Sequence, residues 1–270
     1  MALRETEKDS FYQNIDKMTT AEILNGINEQ DQTVAEAVAR SIPQIKQVVD
    51  LAYEKLSQGG RVFYIGAGTS GRLGIVDASE LPPTFGADPD WIRGLIAGGD
   101  SAIRTAVEFA EDDWHGAWRD LSVFGPQDQD VVLGIAASGT TPYVVGGLRD
   151  ARKAGLSTAC IVCNENSPLE KEADVPIALN TGPEFITGST RMKAGTAQKM
   201  TLNMISTAVM VKLGRVKGNR MVDMQLNNDK LHERGLRMVM SETNASKDAA
   251  RQALEEYGSV RTAIEALNKN

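Results

Sequence analysis

The sequence predicts an α/β protein built on a doubly wound parallel sheet, with a helical segment before the sheet and a short helical tail after it. From Arg61 onward, short apolar runs alternate with amphipathic stretches of helical spacing. The runs are apolar on both faces, which is typical of parallel strands covered by helices on each side. We expect a helical segment at residues 1–50, a sheet domain at 51–220 and a helical extension at 221–270.

The first sixty residues are predicted to be helical. Thr19 and Glu22 have the spacing of a capping box, and apolar residues at helical spacing follow them. A second apolar pattern, from Val34 to Leu51, ends before a Gly-Gly pair at 59–60. Pro43 is expected to bend or start a helix within this pattern.

Five strands and three helices between them are expected in the sheet domain. The strands are predicted within RVFYIGAG (61–68), at 92–97 within WIRGLIAGG (91–99), and within DVVLGIAASG (130–139), STACIVCN (157–164) and VPIALN (175–180). The helices are predicted at 70–81, stopped by two prolines, at 101–114, and at 141–155, where Thr141 is the N-cap. After Gly188 we expect a long apolar helix at 192–214 and, in the tail, two short helices divided near Gly258.

Composition excludes several classes of protein. The chain has 29 Lys and Arg against 36 Asp and Glu, a net charge of −7, which argues against nucleic acid as a partner. No apolar run approaches the roughly 18 residues of a membrane helix, so no membrane association is expected. The start has no signal-peptide pattern, and two cysteines cannot form a disulfide framework, so we expect a cytoplasmic protein.

The motif GAGTSG, with glycines at 66, 68 and 71, lies between a predicted strand and a predicted helix. That spacing occurs in dinucleotide-binding loops, which also need an acidic residue at the end of the next strand, about 20 residues on. Asp88 lies at that distance, but in a proline-rich segment with no strand pattern. A dinucleotide site is therefore disfavoured.

Three hydroxyl-rich turns predict a phosphate site instead. Two directly follow predicted strands and the third comes a few residues after one; they contain Thr69-Ser70, Ser138-Gly139-Thr140-Thr141 and Thr187-Gly188-Ser189-Thr190. Loops after parallel strands collect at one edge of the sheet, where hydroxyls and helix N-terminal N–H groups can bind a phosphate without lysines. For any one turn, the commoner explanation is that its Ser or Thr caps a helix.

Two glutamates are candidates for proton transfer. Glu80 continues an apolar stripe begun by Leu73 and Val76, and Glu111 lies among apolar residues of the helix predicted at 101–114. Burial would raise a carboxyl pKa and suit it to acid–base catalysis. For either residue alone, a structural glutamate at the surface is the more common case.

The other reactive residues give weaker signals. Cys160 and Cys163 are expected on opposite faces of one strand, where they cannot share a metal or pair easily. His115 and His232 are interpreted as surface or structural residues, and no grouping has metal-ligand spacing. Lys193 could contact an anion or lie on the first turn of a helix.

Taken together, the motifs closely resemble those of the N-acetylmuramic acid 6-phosphate etherases, a family within the sugar isomerase (SIS) superfamily of phosphosugar-binding proteins. The resemblance runs from about Thr19 to Arg234 and rests on IGAGTSGRLGIVDASE, GLIAGG, DVVLGIAASGTTPYVV, TGSTRMKAGTAQKMTLNMISTAVMVKLG and GNRMVDM. It implies an SIS-type, flavodoxin-like sheet. It also implies a lyase that removes D-lactate from C3 of N-acetylmuramic acid 6-phosphate in cell-wall sugar recycling and leaves N-acetylglucosamine 6-phosphate.

The resemblance further implies roles for particular residues. Glu80, in DASE, corresponds to the family's proton donor, and Glu111 to its second catalytic glutamate. The phosphosugar would be bound by Gly68, Thr69, Ser70, Ser138, Gly139, Thr140, Thr141, Ser189 and Thr190. No metal or cofactor is required, and a homodimer with sites near the subunit interface is implied.

One departure from the family pattern bears on binding. Family members commonly read SGRTPY where this chain reads SGTTPY, so Thr140 replaces a cation whose contact is lost or supplied elsewhere. Two other functions on the same fold stay open: a non-catalytic phosphosugar-binding regulator, and an aldose–ketose phosphate isomerase.

Overall fold

The computed structural model of the protein describes residues 4–269. Five strands form one sheet: β1 Val62–Gly66, β2 Ile92–Ile96, β3 Val131–Ala136, β4 Ser157–Val162 and β5 Val175–Ala178. The helices are α1 Thr20–Asp31, α2 Val34–Arg40, α3 Ile42–Ser57, α4 Gly68–Phe85, α5 Ser101–Arg104, α6 Gly116–Ser122, α7 Pro142–Lys153, α8 Lys193–Lys212, α9 Asp229–Thr243, α10 Lys247–Tyr257 and α11 Val260–Leu267. The α/β prediction is confirmed.

The sheet is parallel throughout and doubly wound, with strand order β2-β1-β3-β4-β5. From β1 the chain winds outward to β2, and from β3 it winds the other way to β4 and β5. β1 and β3 are therefore neighbours whose following helices leave in opposite directions, and a crevice opens between their carboxyl ends.

Each face of the sheet carries its own apolar layer. Side chains from α3, α4 and α8 pack on one face, and those from α6 and α7 pack on the other. Cys163 belongs to the first layer and Cys160 to the second, which confirms that the two thiols lie on opposite sides. Burial raises the pKa of each thiol to about 12, so neither forms a thiolate at neutral pH.

The N-terminal helices form as the sequence predicts. Thr19 and Glu22 make both bonds of the capping box at the start of α1. Pro43 is the second residue of α3, where its missing N–H costs no helical hydrogen bond. The helix ends at Ser57, before the left-handed Gly59.

The expected stop of α4 at its two prolines is wrong. The helix continues through Pro82 and Pro83 to Phe85 and ends at Gly86, which has φ of 58°. The Gly86 N–H bonds to the Pro82 carbonyl, and the Pro83 carbonyl accepts from the Gln225 N–H. A hydrogen bond from outside the helix thus stabilises its last turn, and the two prolines remove only their own N–H donors from the helical hydrogen bonding.

The helix expected over 101–114 is also wrong. α5 ends at Arg104 because the guanidinium of Arg72 binds the carbonyls of Ala102 and Ile103, at 2.8 and 2.9 Å. Those oxygens are the ones that a continuing helix would need for its next turn. The chain then runs irregularly, with Phe109 left-handed at φ of 60°, into a 3₁₀ turn at Ala110–Asp112.

The last three helices enclose a small apolar core of their own. Asn228, Ser246 and Ser259 cap these helices through their side chains. Gly258, with φ of 70°, separates α10 from α11, which confirms the predicted division. None of the helices within residues 4–269 combines the length and apolar character needed to cross a bilayer.

Candidate functional site

The glycine-rich turn after β1 forms one wall of the crevice. Gly66 lies so close to Gly71 that a Cβ on Gly66 would be 2.7 Å from the Gly71 nitrogen. Gly68 has φ of 51°, a conformation that glycine adopts without strain. The turn therefore needs its glycines to bring the start of α4 to the edge of the sheet.

Ser70 links this turn to α8. It is buried, and its hydroxyl donates to Oε1 of Gln198 at 2.9 Å. Gln198 is itself buried, and its Nε2 has no hydrogen-bond partner within residues 4–269. Thr69 lies beside Gly195, which is about one turn before Gln198 on α8. Sequence reasoning missed Gln198, although a glutamine within a largely apolar helix was a signal for it.

The turn after β3 forms the opposite wall. Thr140 donates to the Ser138 hydroxyl twice, from its N–H at 3.2 Å and from its own hydroxyl at 3.1 Å. Gly139 has φ of 68°, and a Cβ there would be 2.4 Å from the side chain of Ser167. Thr141 precedes α7, but its side chain makes no capping bond. The expected capping bond is absent, so this hydroxyl is not committed to the helix.

The third hydroxyl-rich turn leads into α8. Ser189 and Thr190 are half-buried there, and the Thr190 carbonyl accepts from the Gly195 N–H at 3.0 Å. The first N–H groups of α8 are already occupied, because the buried carboxylate of Glu184 accepts from Lys193 and Ala194 at 2.8 and 2.9 Å. The start of α8 therefore holds an internal carboxylate.

Lys193 lies on the first turn of α8 and is buried. Its ammonium donates to Oε1 of Gln30 at 2.8 Å, so it binds the N-terminal helices. Burial lowers the pKa of Lys193 and raises that of Glu184, and their mutual attraction opposes both shifts. The predicted position of Lys193 on the first turn of a helix is confirmed.

Glu111 lies near the crevice. It is exposed and lines a cavity of about 190 Å³ together with Gly68 and Arg72. The expected burial in a helix is wrong, because the 101–114 helix does not form. The same break in the chain brings the 3₁₀ turn that contains Glu111 to the start of α4.

Glu80 lies elsewhere in the chain. It comes twelve residues after Gly68 on α4, about 18 Å along the helix axis. Glu80 and Val76 are both exposed in the single chain, so the expected burial of these two side chains is wrong. The structure thus brings together the turns after β1 and β3 and the segment of Glu111, but not Glu80.

A segment absent from the sequence-based site also reaches these turns. Residues 4–10, here called the N-terminal strap, lie across the carboxyl edge of the sheet. The strap bonds to Thr140 after β3, to Asn164 after β4, and to Phe185 and Thr187 after β5. Nothing in the spacing of these residues indicated such contacts.

Two family models match the chain. The model described as "SIS domain" matches residues 119–208, which include the turn after β3 and much of α8. The model described as "Glucokinase regulatory protein N-terminal SIS domain" matches residues 44–152, which include β1, α4 and β3. Together the two matches cover both walls of the crevice.

Two solved structures share the fold. One is a phosphoheptose isomerase from Francisella tularensis, with a TM-score of 0.52 and 19% identity, covering 72% of this chain and 98% of its own. The other is the C-terminal domain of a glucosamine-fructose-6-phosphate aminotransferase from the same organism, with a TM-score of 0.51 and 19% identity, covering 89% and 60%. These likenesses confirm an SIS-type fold.

Similarity in sequence extends over almost the whole chain. A protein named N-acetylmuramic acid 6-phosphate etherase from Christiangramia forsetii is 58% identical over 97% of this chain and 96% of its own length. Proteins of the same name from Porphyromonas gingivalis and Bacteroides thetaiotaomicron are 57% and 54% identical, each over 98% of this chain and 96% of their own. This chain therefore belongs to the N-acetylmuramic acid 6-phosphate etherase family.

Proposed function

We propose that the protein is an N-acetylmuramic acid 6-phosphate etherase, a carbon–oxygen lyase that releases D-lactate and N-acetylglucosamine 6-phosphate. The carrying observation is identity above 50% over nearly the full chain to proteins of that name. The crevice between β1 and β3, lined by glycines and hydroxyls, is suited to a sugar phosphate.

The phosphate group is assigned to the turn after β3. Ser138, Thr140 and Thr141 present three hydroxyls around the left-handed Gly139, at the start of α7. We assign the other contacts with the sugar phosphate to Gly68, Thr69 and Ser70 in the turn after β1 and to Ser189 and Thr190 before α8. Nε2 of Gln198 is buried without a hydrogen-bond partner within residues 4–269, and we assign it as a further donor to an oxygen of the sugar.

The reaction needs one group to remove a proton and one to supply a proton. In the open-chain aldehyde, C2–H is α to the carbonyl, so a carboxylate can take its proton as the C3–O bond breaks. The leaving lactyl oxygen takes a proton from an acid. Water then adds at C3 while C2 is protonated again. We assign these proton transfers to Glu80 and Glu111, and none of these steps calls for a metal or redox cofactor.

Glu80 can take part only if a second chain supplies it. It is about 18 Å along α4 from the crevice of its own chain, on an exposed face with Val76. An apolar groove of about 570 Å³ is lined by α3 and α8, including Ile42 and Asn203, and Asn203 also bonds to Asp77 of α4. We propose a cytoplasmic homodimer in which this face meets its copy and Glu80 reaches the partner's crevice.

Lactate release from N-acetylmuramic acid 6-phosphate tests the function. We expect turnover by the wild type and a loss of at least about 100-fold in kcat for Glu80→Gln and for Glu111→Gln, in line with removal of a general acid or base. Glu108 lies three residues before Glu111 and lines the same cavity, so Glu108→Gln is the matched control and should retain most activity. No release by the wild type, or full rate in both variants, would contradict the proposal.

The same assay separates the two alternatives. A non-catalytic regulator would bind the sugar phosphate with no lactate released. An isomerase would instead interconvert aldose and ketose phosphates, which fructose 6-phosphate as substrate would reveal.

A further inference from the structure

The N-terminal strap is anchored by buried hydrogen bonds. Thr6 is fully buried, and its N–H donates to Oδ1 of Asn164 at 3.2 Å. The amide of Asn164 donates in return to the Thr6 hydroxyl at 2.9 Å and to the Ala137 carbonyl at 2.9 Å. Ala137 directly precedes Ser138, so this anchor joins the strap to the start of the turn after β3.

A second anchor lies four residues further along. The Ser10 N–H donates to the hydroxyl of Thr187 at 2.9 Å, and the Ser10 hydroxyl donates to the Phe185 carbonyl at 2.7 Å. The strap is thereby held at two points, beside the turn after β3 and beside the turn that leads into α8. Its position relative to the crevice is set by these bonds.

Arg4 extends from the first anchor to the proposed phosphate turn. Its Nη1 donates to Oγ1 of Thr140 at 2.9 Å, and Thr140 donates in turn to Ser138. Two of the other cations near this edge are already engaged, since Arg72 binds carbonyls and Lys193 binds Gln30, whereas Arg191, which follows Thr190, is exposed. The guanidinium of Arg4 thus lies beside the hydroxyls of the turn after β3.

We propose that Arg4 supplies the cation for the phosphate of the bound sugar, from its position at Thr140 in the turn after β3. The inference rests on the proposed function for the identity of the ligand. A guanidinium next to a cluster of hydroxyls can donate to phosphate oxygens with two N–H groups in parallel. The strap is then part of the binding site.

Binding of N-acetylglucosamine 6-phosphate, measured by calorimetry, tests the proposal without requiring turnover. We expect Arg4→Ala to raise the Kd about tenfold at low ionic strength, as for loss of a charge-assisted hydrogen bond. The difference should shrink in roughly 0.5 M KCl, because Arg4 is exposed and its charge is screened. In the lactate assay, KM should rise far more than kcat falls.

Two further variants test whether Arg4 binds the phosphate or only stabilises the structure. Arg4→Ala combined with Thr140→Arg should restore most of the affinity, because the cation returns on the turn itself. Lys8→Ala removes an equal charge from the strap, where Lys8 pairs only with Glu5 among the described residues, and should change the Kd less than about twofold. The melting temperature of Arg4→Ala should match that of the wild type.

Three results would overturn the proposal. One is an unchanged Kd in Arg4→Ala. Another is a loss of affinity in Arg4→Ala that the added Thr140→Arg does not restore and that Arg4→Lys shows to the same extent. The third is that Arg4→Ala weakens the binding of N-acetylmuramic acid 6-phosphate but not that of N-acetylglucosamine 6-phosphate. That result would assign Arg4 to the lactyl carboxylate. If the wild type binds the product sugar but releases no lactate, the proposed function fails while the Kd comparison still decides the role of Arg4.

Discussion

Two buried polar clusters join α4 to α8 behind the crevice. In one, Ser70 donates to Gln198; in the other, Oδ1 of Asp77 accepts from Asn203 at 2.8 Å and from Ser206 at 3.1 Å. Each cluster pairs groups that would be costly to bury alone, but within residues 4–269 Nε2 of Gln198 and Oδ2 of Asp77 have no hydrogen-bond partner. The first lies one turn into α4 and faces the proposed ligand, and the second lies two turns further on.

Asp77 makes stability depend on pH. Burial raises the pKa of its carboxyl above the ordinary 3.8, although the bonds from Asn203 and Ser206 oppose the shift. As pH rises from 3.8 towards the raised pKa, the unfolded chain gives up this proton first, so the contribution of Asp77 to stability falls. We predict that the free energy of unfolding falls less across that pH interval in Asp77→Asn than in the wild type. Urea titration at several pH values measures this difference.

Asp248→Asn is the control for this prediction. Its side chain is 96% exposed at the start of α10, so the pH dependence should stay that of the wild type. An Asp77→Asn curve parallel to the wild-type curve would mean that Asp77 keeps its ordinary acidity in the folded protein.

At the scale of elements, the break after α5 is the feature that positions Glu111. The side chain of Arg72, on the second turn of α4, captures two carbonyls and redirects the chain. The segment of Glu111 is thereby tied to the same helix whose N-terminus lies in the crevice.

We therefore predict that Arg72→Met lowers kcat for lactate release at least about tenfold, because the turn at Ala110–Asp112 loses its tether. The fold should survive, since Met fills the aliphatic space of the arginine stem. Arg104→Met, at the exposed end of α5, is the control and should leave kcat within about twofold. An Arg72→Met enzyme with wild-type kcat would show that Glu111 does not depend on this tether.

Sequence patterns predicted the elements whose causes are local. The capping box at Thr19, the apolar strands and the glycine stops depend on neighbouring residues, and they appear in the structure. Other features depend on contacts across the chain. Arg72 ends a helix thirty residues away, and the carbonyl of Pro83 finds its donor at Gln225.

The candidate site divides in the same way. The hydroxyl-rich turns could be placed at one edge from strand order alone. Gln198 and Arg4 could not, because their partners lie 128 and 136 residues away in the chain. The exposure of Glu80 also differs from expectation, since an apolar stripe does not reveal whether its own fold or a second chain covers it.

At the scale of the whole molecule, the proposed dimer makes a prediction about mixed chains. Glu80→Gln and Glu111→Gln homodimers should each be inactive. A heterodimer of the two would hold one intact site, with Glu111 from one chain and Glu80 from the other. Equal co-expression should therefore recover about a quarter of the wild-type rate, since half of the randomly formed dimers have one of two sites intact.

Two measurements check this prediction. Differently tagged chains allow the heterodimer to be isolated, and its lactate release should be about half that of the wild-type dimer. A protein that elutes as a monomer, or a heterodimer with no activity, would place Glu80 outside the partner's crevice. The control heterodimer pairs the wild type with a chain that carries both substitutions. It should be inactive if the sites are shared between chains, whereas sites contained within one chain would leave one of them intact.

The N-terminal strap has a consequence for the order in which the protein is made. Residues 4–10 leave the ribosome well before their partners, since Thr6 bonds to Asn164 and Ser10 to Thr187, 158 and 177 positions later. Contacts this distant in sequence form only after the intervening chain has been synthesised and has closed the sheet. The strap is thus translated before its partners but docks only after them, so a nascent chain that stops short of β5 leaves this edge of the crevice open.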